Sequence, residues 1–131
     1  MENIQEKMKA LFGGSCYAYC LCKLFGDNPS LPEMTQLILK GWQRGYIEND
    51  GFVSFPVQFI NMINPDADIK DVVKVNIDHI AYIKDPTIVE YVYNGGSHFV
   101  IVENGRVIFD PSGDSNTVRN GKAVSLRKYV R

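Results

Sequence analysis

At 131 residues the chain can bury a core without disulfides or a structural metal, and a single domain over residues 1–131 is expected. Hydrophobic residues at 45% and charged residues at 22% exclude a disordered or fibrous chain, and a formal net charge of -1 offers no footprint for nucleic acid or an acidic membrane surface. The opening residues lack the basic start and apolar run of a secretory signal, and no stretch is apolar for long enough to span a bilayer, so a cytoplasmic location is expected.

Ile4, Met8 and Leu11 lie one helical turn apart, which predicts a short helix over residues 3–11 ended by Gly13-Gly14. A second helix follows at once, with Ser15 as its N-cap and Tyr17, Cys20, Leu21 and Leu24 as its apolar stripe, stopped at Gly26-Asp27-Asn28-Pro29. Ser30-Leu31-Pro32-Glu33 has the spacing of a capping box, so Met34, Leu37, Ile38 and Trp42 carry a third helix toward Gly45. Ser54-Phe55-Pro56-Val57 signals a fourth, with Val57, Ile60 and Ile63 on one face.

From about Asp71 the chain turns to β-branched and aromatic residues, in Val72-Val73-Lys74-Val75-Asn76-Ile77 and Ile88-Val89-Glu90-Tyr91-Val92-Tyr93. Further strands are expected over residues 98–102, 106–110 and 123–130. Helices first and strands afterwards define an α+β class, with N-terminal helices packed on a C-terminal antiparallel sheet, because parallel βαβ units would alternate the two.

Cys16 follows Gly13-Gly14-Ser15 and opens a helix, where unpaired amides and the positive end of the helix dipole favour a thiolate. The other cysteines, Cys20 and Cys22, read as small buried hydrophobes, and an odd count of three clustered thiols suits a reducing compartment. Their Cys-x3-Cys-x-Cys spacing matches no zinc site, and the Gly-Gly pairs lack the setting of a phosphate loop, so neither metal nor cofactor is expected.

A general base for the thiol must be His79 or His98, the only two histidines. His98 is favoured, since it follows Asn94-Gly95-Gly96-Ser97 at the mouth of an apolar strand, whereas His79 reads as a surface or strand-edge residue. Asp110 is the candidate to orient the imidazole, although it reads equally as an Asp-Pro turn starter. If Glu103-Asn104-Gly105 is a three-residue loop with Gly105 left-handed, His98 pairs directly with Asp110; a two-residue Asn104-Gly105 turn would pair Phe99 with Asp110 instead.

A cysteine at a helix start, a histidine opening a strand about eighty residues later and Asp-Pro on the next strand resemble the papain-like cysteine peptidases, especially the double-glycine leader peptidases that process bacteriocins. The matching segments are Gly14-Ser-Cys-Tyr-Ala-Tyr-Cys-Leu and Ser97-His-Phe-Val-Ile-Val-Glu-Asn-Gly-Arg-Val-Ile-Phe-Asp-Pro. The C-terminal stretch also resembles a family of small proteins from spirochaete plasmids and prophages. The papain-like resemblance implies a cysteine hydrolase, peptidase or amidase, acting on a peptide or protein substrate, with Cys16 as nucleophile, His98 as base and then acid, and Asp110 as orienting group. Where that family carries an oxyanion-hole glutamine, this chain has Lys9, Ala10 and Leu11, and Gln5 is too far upstream to match. The alternative is therefore an inactive papain-like domain that binds a peptide or protein partner in the inherited cleft.

Overall fold

The computed structural model describes residues 3–131. It has the α+β class expected, with helices in the N-terminal half and one antiparallel sheet in the C-terminal half. The chain forms two compact units, the first ending at Asp68 and the second comprising Ile69–Arg131. Among the described residues no helix is long and apolar enough to cross a membrane.

The first unit contains α1 (Ile4–Gly13), α2 (Cys16–Phe25), α3 (Leu31–Gln43), α4 (Pro56–Ile63) and a 3-10 turn at Pro65–Ala67. Their starts are written in local chemistry. The Asn3 side chain accepts from the Gln5 and Glu6 amides at the head of α1. At α3 the expected capping box is present, Glu33 N–H donating to the Ser30 hydroxyl and Ser30 N–H to the Glu33 carboxylate. Proline at the first turns of α3 and α4 costs nothing, because its missing N–H would have no partner there.

Helix α2 packs against α3 and α4. It buries Ala18, Cys20, Leu21 and Cys22, so burial wraps round the helix more widely than the stripe read from the sequence, and Tyr17 and Leu24 are only half-buried. Phe59 of α4 lies over Gly41 of α3, where a Cβ would come within 2.7 Å of its ring. A fully buried side chain of this kind contributes about 1.5–3 kcal/mol. Asn64 Nδ2 donates to the Phe25 carbonyl at 3.2 Å and ties the end of α4 to the end of α2.

The second unit is a five-stranded antiparallel sheet of order β1-β5-β2-β3-β4, made of β1 (Asp71–Asn76), β2 (Thr87–Tyr93), β3 (Gly96–Glu103), β4 (Arg106–Phe109) and β5 (Lys122–Val130). A five-residue helix, α5 (Asn116–Asn120), packs on β2, β3 and β5. Because side chains alternate along a strand, the register Val89↔Val100 and Tyr91↔His98 puts these four side chains on one face. That face is a core of Val89, Tyr91, Val100, Val102, Ala123, Leu126 and Ile83, with Ile77, Ile80 and Val118 packed against it.

Candidate functional site

Cys16 is the first residue of α2, as its sequence context predicts, and its side chain is half-buried. Ser15 stands at the N-cap position but does not cap the helix. It is fully buried, and its hydroxyl donates back to the Leu11 carbonyl in the last turns of α1. The turn that presents Cys16 is thus held from α1.

The 46–54 hairpin holds the same turn from its other side. Ile47 pairs with Val53, both buried, and Gly51 comes so close to α1 and the turn that a Cβ there would lie 2.5 Å from the Leu11 oxygen and the Gly14 carbonyl carbon. A Cβ on Gly14 would overlap the Asp50 carbonyl oxygen. Glycine is needed at both positions for close backbone approach, and at Gly51 also for its φ of 90°.

The other two cysteines, Cys20 and Cys22, are fully buried. Burial pushes the Cys22 thiol up to about 12, against a smaller opposing effect of a backbone hydrogen bond. Cys22 is thereby an inert, protonated thiol.

In the second unit His98 and Asp110 meet. His98 Nε2 lies 2.6 Å from Asp110 Oδ1, and the side chains are only 10% and 8% exposed. The route to this contact differs from the one expected. Glu103 pairs with Arg106 across a two-residue turn, in which Asn104 and Gly105 have φ of 52° and 72°, as a type I′ turn requires. Such a turn alone would have set Phe99 opposite Asp110. One residue further along, however, the register shifts: Val102 pairs with Val107 but Ile101 with Phe109, leaving Ile108 as an extra residue. With Phe109 opposite Ile101, this bulge turns the chain over by one position, so Asp110 falls on the face that carries Val100 and His98.

Asp110 also starts the Asp-Pro turn read from the sequence. The same Oδ1 accepts from the Ser112 amide at 2.8 Å, and the Asp110 carbonyl accepts from Gly113 N–H at 2.9 Å. Burial raises the Asp110 carboxyl, but the His98 hydrogen bond, the Ser112 amide, the charge of His98 and the Ser115 hydroxyl together outweigh it, leaving the group below its ordinary value. A carboxylate so held is the acceptor, so the proton of this pair sits on His98 Nε2.

Ser112 and Ser115 were not singled out by sequence reasoning. The Ser115 hydroxyl accepts from Val118 N–H at 3.1 Å and so caps α5. The available signal was Ser115 three residues before an apolar Val118. Asp114 pairs at the surface with Arg119 at 2.5 Å. The exposed His79 makes an edge-on contact with Tyr82, ring centres 5.1 Å apart.

A second polar group stands on the opposite face of the sheet. The fully buried Ser125 donates to Glu90 at 2.7 Å, and Arg127 donates to Ser125 at 2.8 Å while lying 5.1 Å over the Phe99 ring. Among the described residues no three of His, Cys, Asp and Glu gather as a metal site would need.

Residues 8–131 match the model of the family described as protein of unknown function, DUF261, and the chain belongs to that family. A search of curated proteins and a search of solved structures find no match to it.

Proposed function

We propose that this chain is a papain-like cysteine hydrolase acting on a peptide or amide bond, with Cys16 as nucleophile, His98 as general base and then acid, and Asp110 as the orienting group. The observation that carries the reading is the buried His98–Asp110 pair, in which a carboxylate fixed by two further donors, the Ser112 amide and the Ser115 hydroxyl, holds one tautomer of the imidazole. Its second support is the place of Cys16 at the first residue of α2.

In this mechanism the Cys16 thiol passes its proton to His98 and the sulfur attacks the substrate carbonyl carbon. The tetrahedral oxyanion collapses, the C–N bond breaks, and the imidazolium gives its proton to the departing amine, leaving a thioester on Cys16. Water then loses a proton to His98 and attacks the thioester carbonyl. The C–S bond breaks, the acid departs, and the proton returns to the thiol. The Cys16 amide, in the first turn of α2, is a donor for the oxyanion. A reducing, cytoplasmic setting fits a free nucleophilic thiol and belongs to the same proposal.

One observation favours a second reading, a papain-like cleft that binds a peptide or protein without turnover. At the positions where the resembling family carries its glutamine, Lys9 and Ala10 are exposed and Leu11 is a core residue, 2% exposed. Loss of one oxyanion donor costs about 3 kcal/mol of transition-state stabilisation.

Iodoacetamide labelling at neutral pH, read by mass spectrometry of the peptides, tests the proposal. The hydrolase reading expects Cys16 to be modified ahead of Cys20 and Cys22, and at least tenfold more slowly in His98→Ala. Equal rates in the two proteins would remove the case for a Cys16–His98 pair and leave the binding reading.

A further inference from the structure

Helix α1 is packed at one end and bare at the other. Its apolar stripe is Ile4, Met8 and Leu11, one turn apart, yet burial falls off along it: Leu11 is 2% exposed, Met8 half-buried and Ile4 74% exposed. Where the stripe loses its cover there is an open cavity of about 170 Å³, lined by Ile4, Lys7, Met8 and Leu11 of α1, Trp42 of the last turn of α3, and Asn49. Its largest wall is tethered. Trp42 Nε1 donates to Asn49 Oδ1 at 2.9 Å, which ties the indole to the 46–54 hairpin, and the hairpin is itself closed by Ser54 donating to Glu48 Oε2 at 2.8 Å. The indole therefore keeps its place beside the cavity instead of collapsing into it. An apolar cavity of ~150 Å³ stays dry and takes up benzene, because its walls lack contact atoms that a fitting ligand restores.

The two polar side chains of the lining decide which ligand fits. Asn49 gives its carbonyl oxygen to Trp42, so the group it offers a ligand is its Nδ2 amide, which only donates. Lys7 likewise carries three donors and no acceptor. Both side chains ask for a hydrogen-bond acceptor, and Lys7 asks for one with negative charge. One lysine and one amide suit the single charge and paired oxygens of a carboxylate, whereas a phosphate draws a cluster of cations.

We propose that this cavity is a binding site for a small apolar carboxylate, a branched aliphatic or single-ring acid whose body has about the size of benzene. The apolar part lies against Trp42, Met8 and Leu11, and the carboxylate is held by Lys7 and Asn49. The site uses neither Cys16 nor His98, so it stands whether or not the chain is a hydrolase. A free acid and the C-terminal leucine of a peptide share this chemistry.

Trp42 is the only tryptophan of the chain, so its fluorescence reports on this cavity alone. The full chain is titrated with 4-methylpentanoate, with the neutral 4-methylpentanamide and with acetyl-Ala-Leu, following the Trp42 emission and, in parallel, the heat of binding. The acid is expected to saturate with a Kd in the millimolar range or below, as a ligand of so few atoms allows, and to bind about tenfold or more tighter than the amide. Lys7→Gln, at an exposed position and therefore safe for folding, should bring acid and amide within about threefold of each other. Acetyl-Ala-Leu reads the source: tighter binding than the acid marks a peptide C-terminus, weaker binding marks a free acid, and both uphold the site. Three results overturn it: no saturable emission change or heat with any of the three probes, an amide bound as tightly as the acid, or a preference for the acid that survives Lys7→Gln.

Discussion

His98 and Asp110 are bonded although neither is the other's partner in a ladder: His98 stands across from Tyr91 on β2, and the β4 ladder ends at Phe109 opposite Ile101. Removing Asp110 takes away the acceptor of this contact. Asp110→Ala should lower stability by about 1.5–3 kcal/mol, the range for hydrogen bonds to a charged group, measured as a shift in the urea midpoint. The same variant should slow Cys16 alkylation; an unchanged rate would separate the pair from the thiol.

The acid limb of stability gives a second check. Although burial acts to raise the Asp110 carboxyl, its hydrogen bonds and the His98 charge leave it below its ordinary value, so the folded chain holds its proton less tightly than the unfolded one. The sign follows: the contribution is present above the unfolded carboxylate value of about 3.9 and is lost as pH falls through the lower folded value. The stability difference between the unaltered chain and Asp110→Ala should be present at about pH 5 and shrink as pH falls below about 4. A difference that failed to shrink below about pH 4 would contradict the lowered carboxyl.

Adjacent glycines should behave in opposite ways. Gly14→Ala forces a Cβ into the Asp50 carbonyl, a backbone group that no rotamer change removes, and should cost about 2–3 kcal/mol. Gly13→Ala meets nothing within 4 Å at the end of α1 and should be neutral or stabilising by up to about 1 kcal/mol. Thermal unfolding of the two variants side by side reads both.

The buried thiol of Cys22 should report on the integrity of the first unit. With its pKa raised to about 12 by burial, it stays protonated and should resist alkylation at pH 8, yet react promptly in denaturant. Modification of Cys22 in the folded chain at a rate near that of Cys16 would contradict its packing.

Much of this architecture is legible in the sequence because its signals are local. The capping box at Ser30 and Glu33, the glycines that close α1 and the β-branched runs each act over three or four residues, and each stands where its chemistry puts it. The Glu103-Asn104-Gly105 loop shows where such reading stops. Asn-Gly is a strong type I′ signal, but the face on which Asp110 falls is decided by a second irregularity at Ile108, and a bulge at an ordinary isoleucine has no compositional mark. The tight turn and the one register shift together bring Asp110 to His98 as a diagonal contact, not as the direct cross-strand pair that a three-residue loop implies.

Helix α5 escaped for a different reason. Asn116-Thr117-Val118-Arg119-Asn120 contains one apolar residue and mostly weak helix formers, and it is helical because Ser115 caps it and the sheet accepts Val118. Ser15 looked like a cap and is not one, since its hydroxyl found a carbonyl in the preceding helix instead.

The extra residue at Ile108 also bears on how the molecule behaves in a crowd. Strand β4 is the outer strand on its side of the sheet, and an outer strand exposes unpaired amides and carbonyls that invite a neighbouring chain to add itself. In a strand of four residues, one unpaired position breaks the template before a foreign strand can register with it. With Ile108 itself 54% exposed, an unbroken β4 would be a sticky seam; the irregularity that delivers Asp110 to His98 also protects the chain against aggregation.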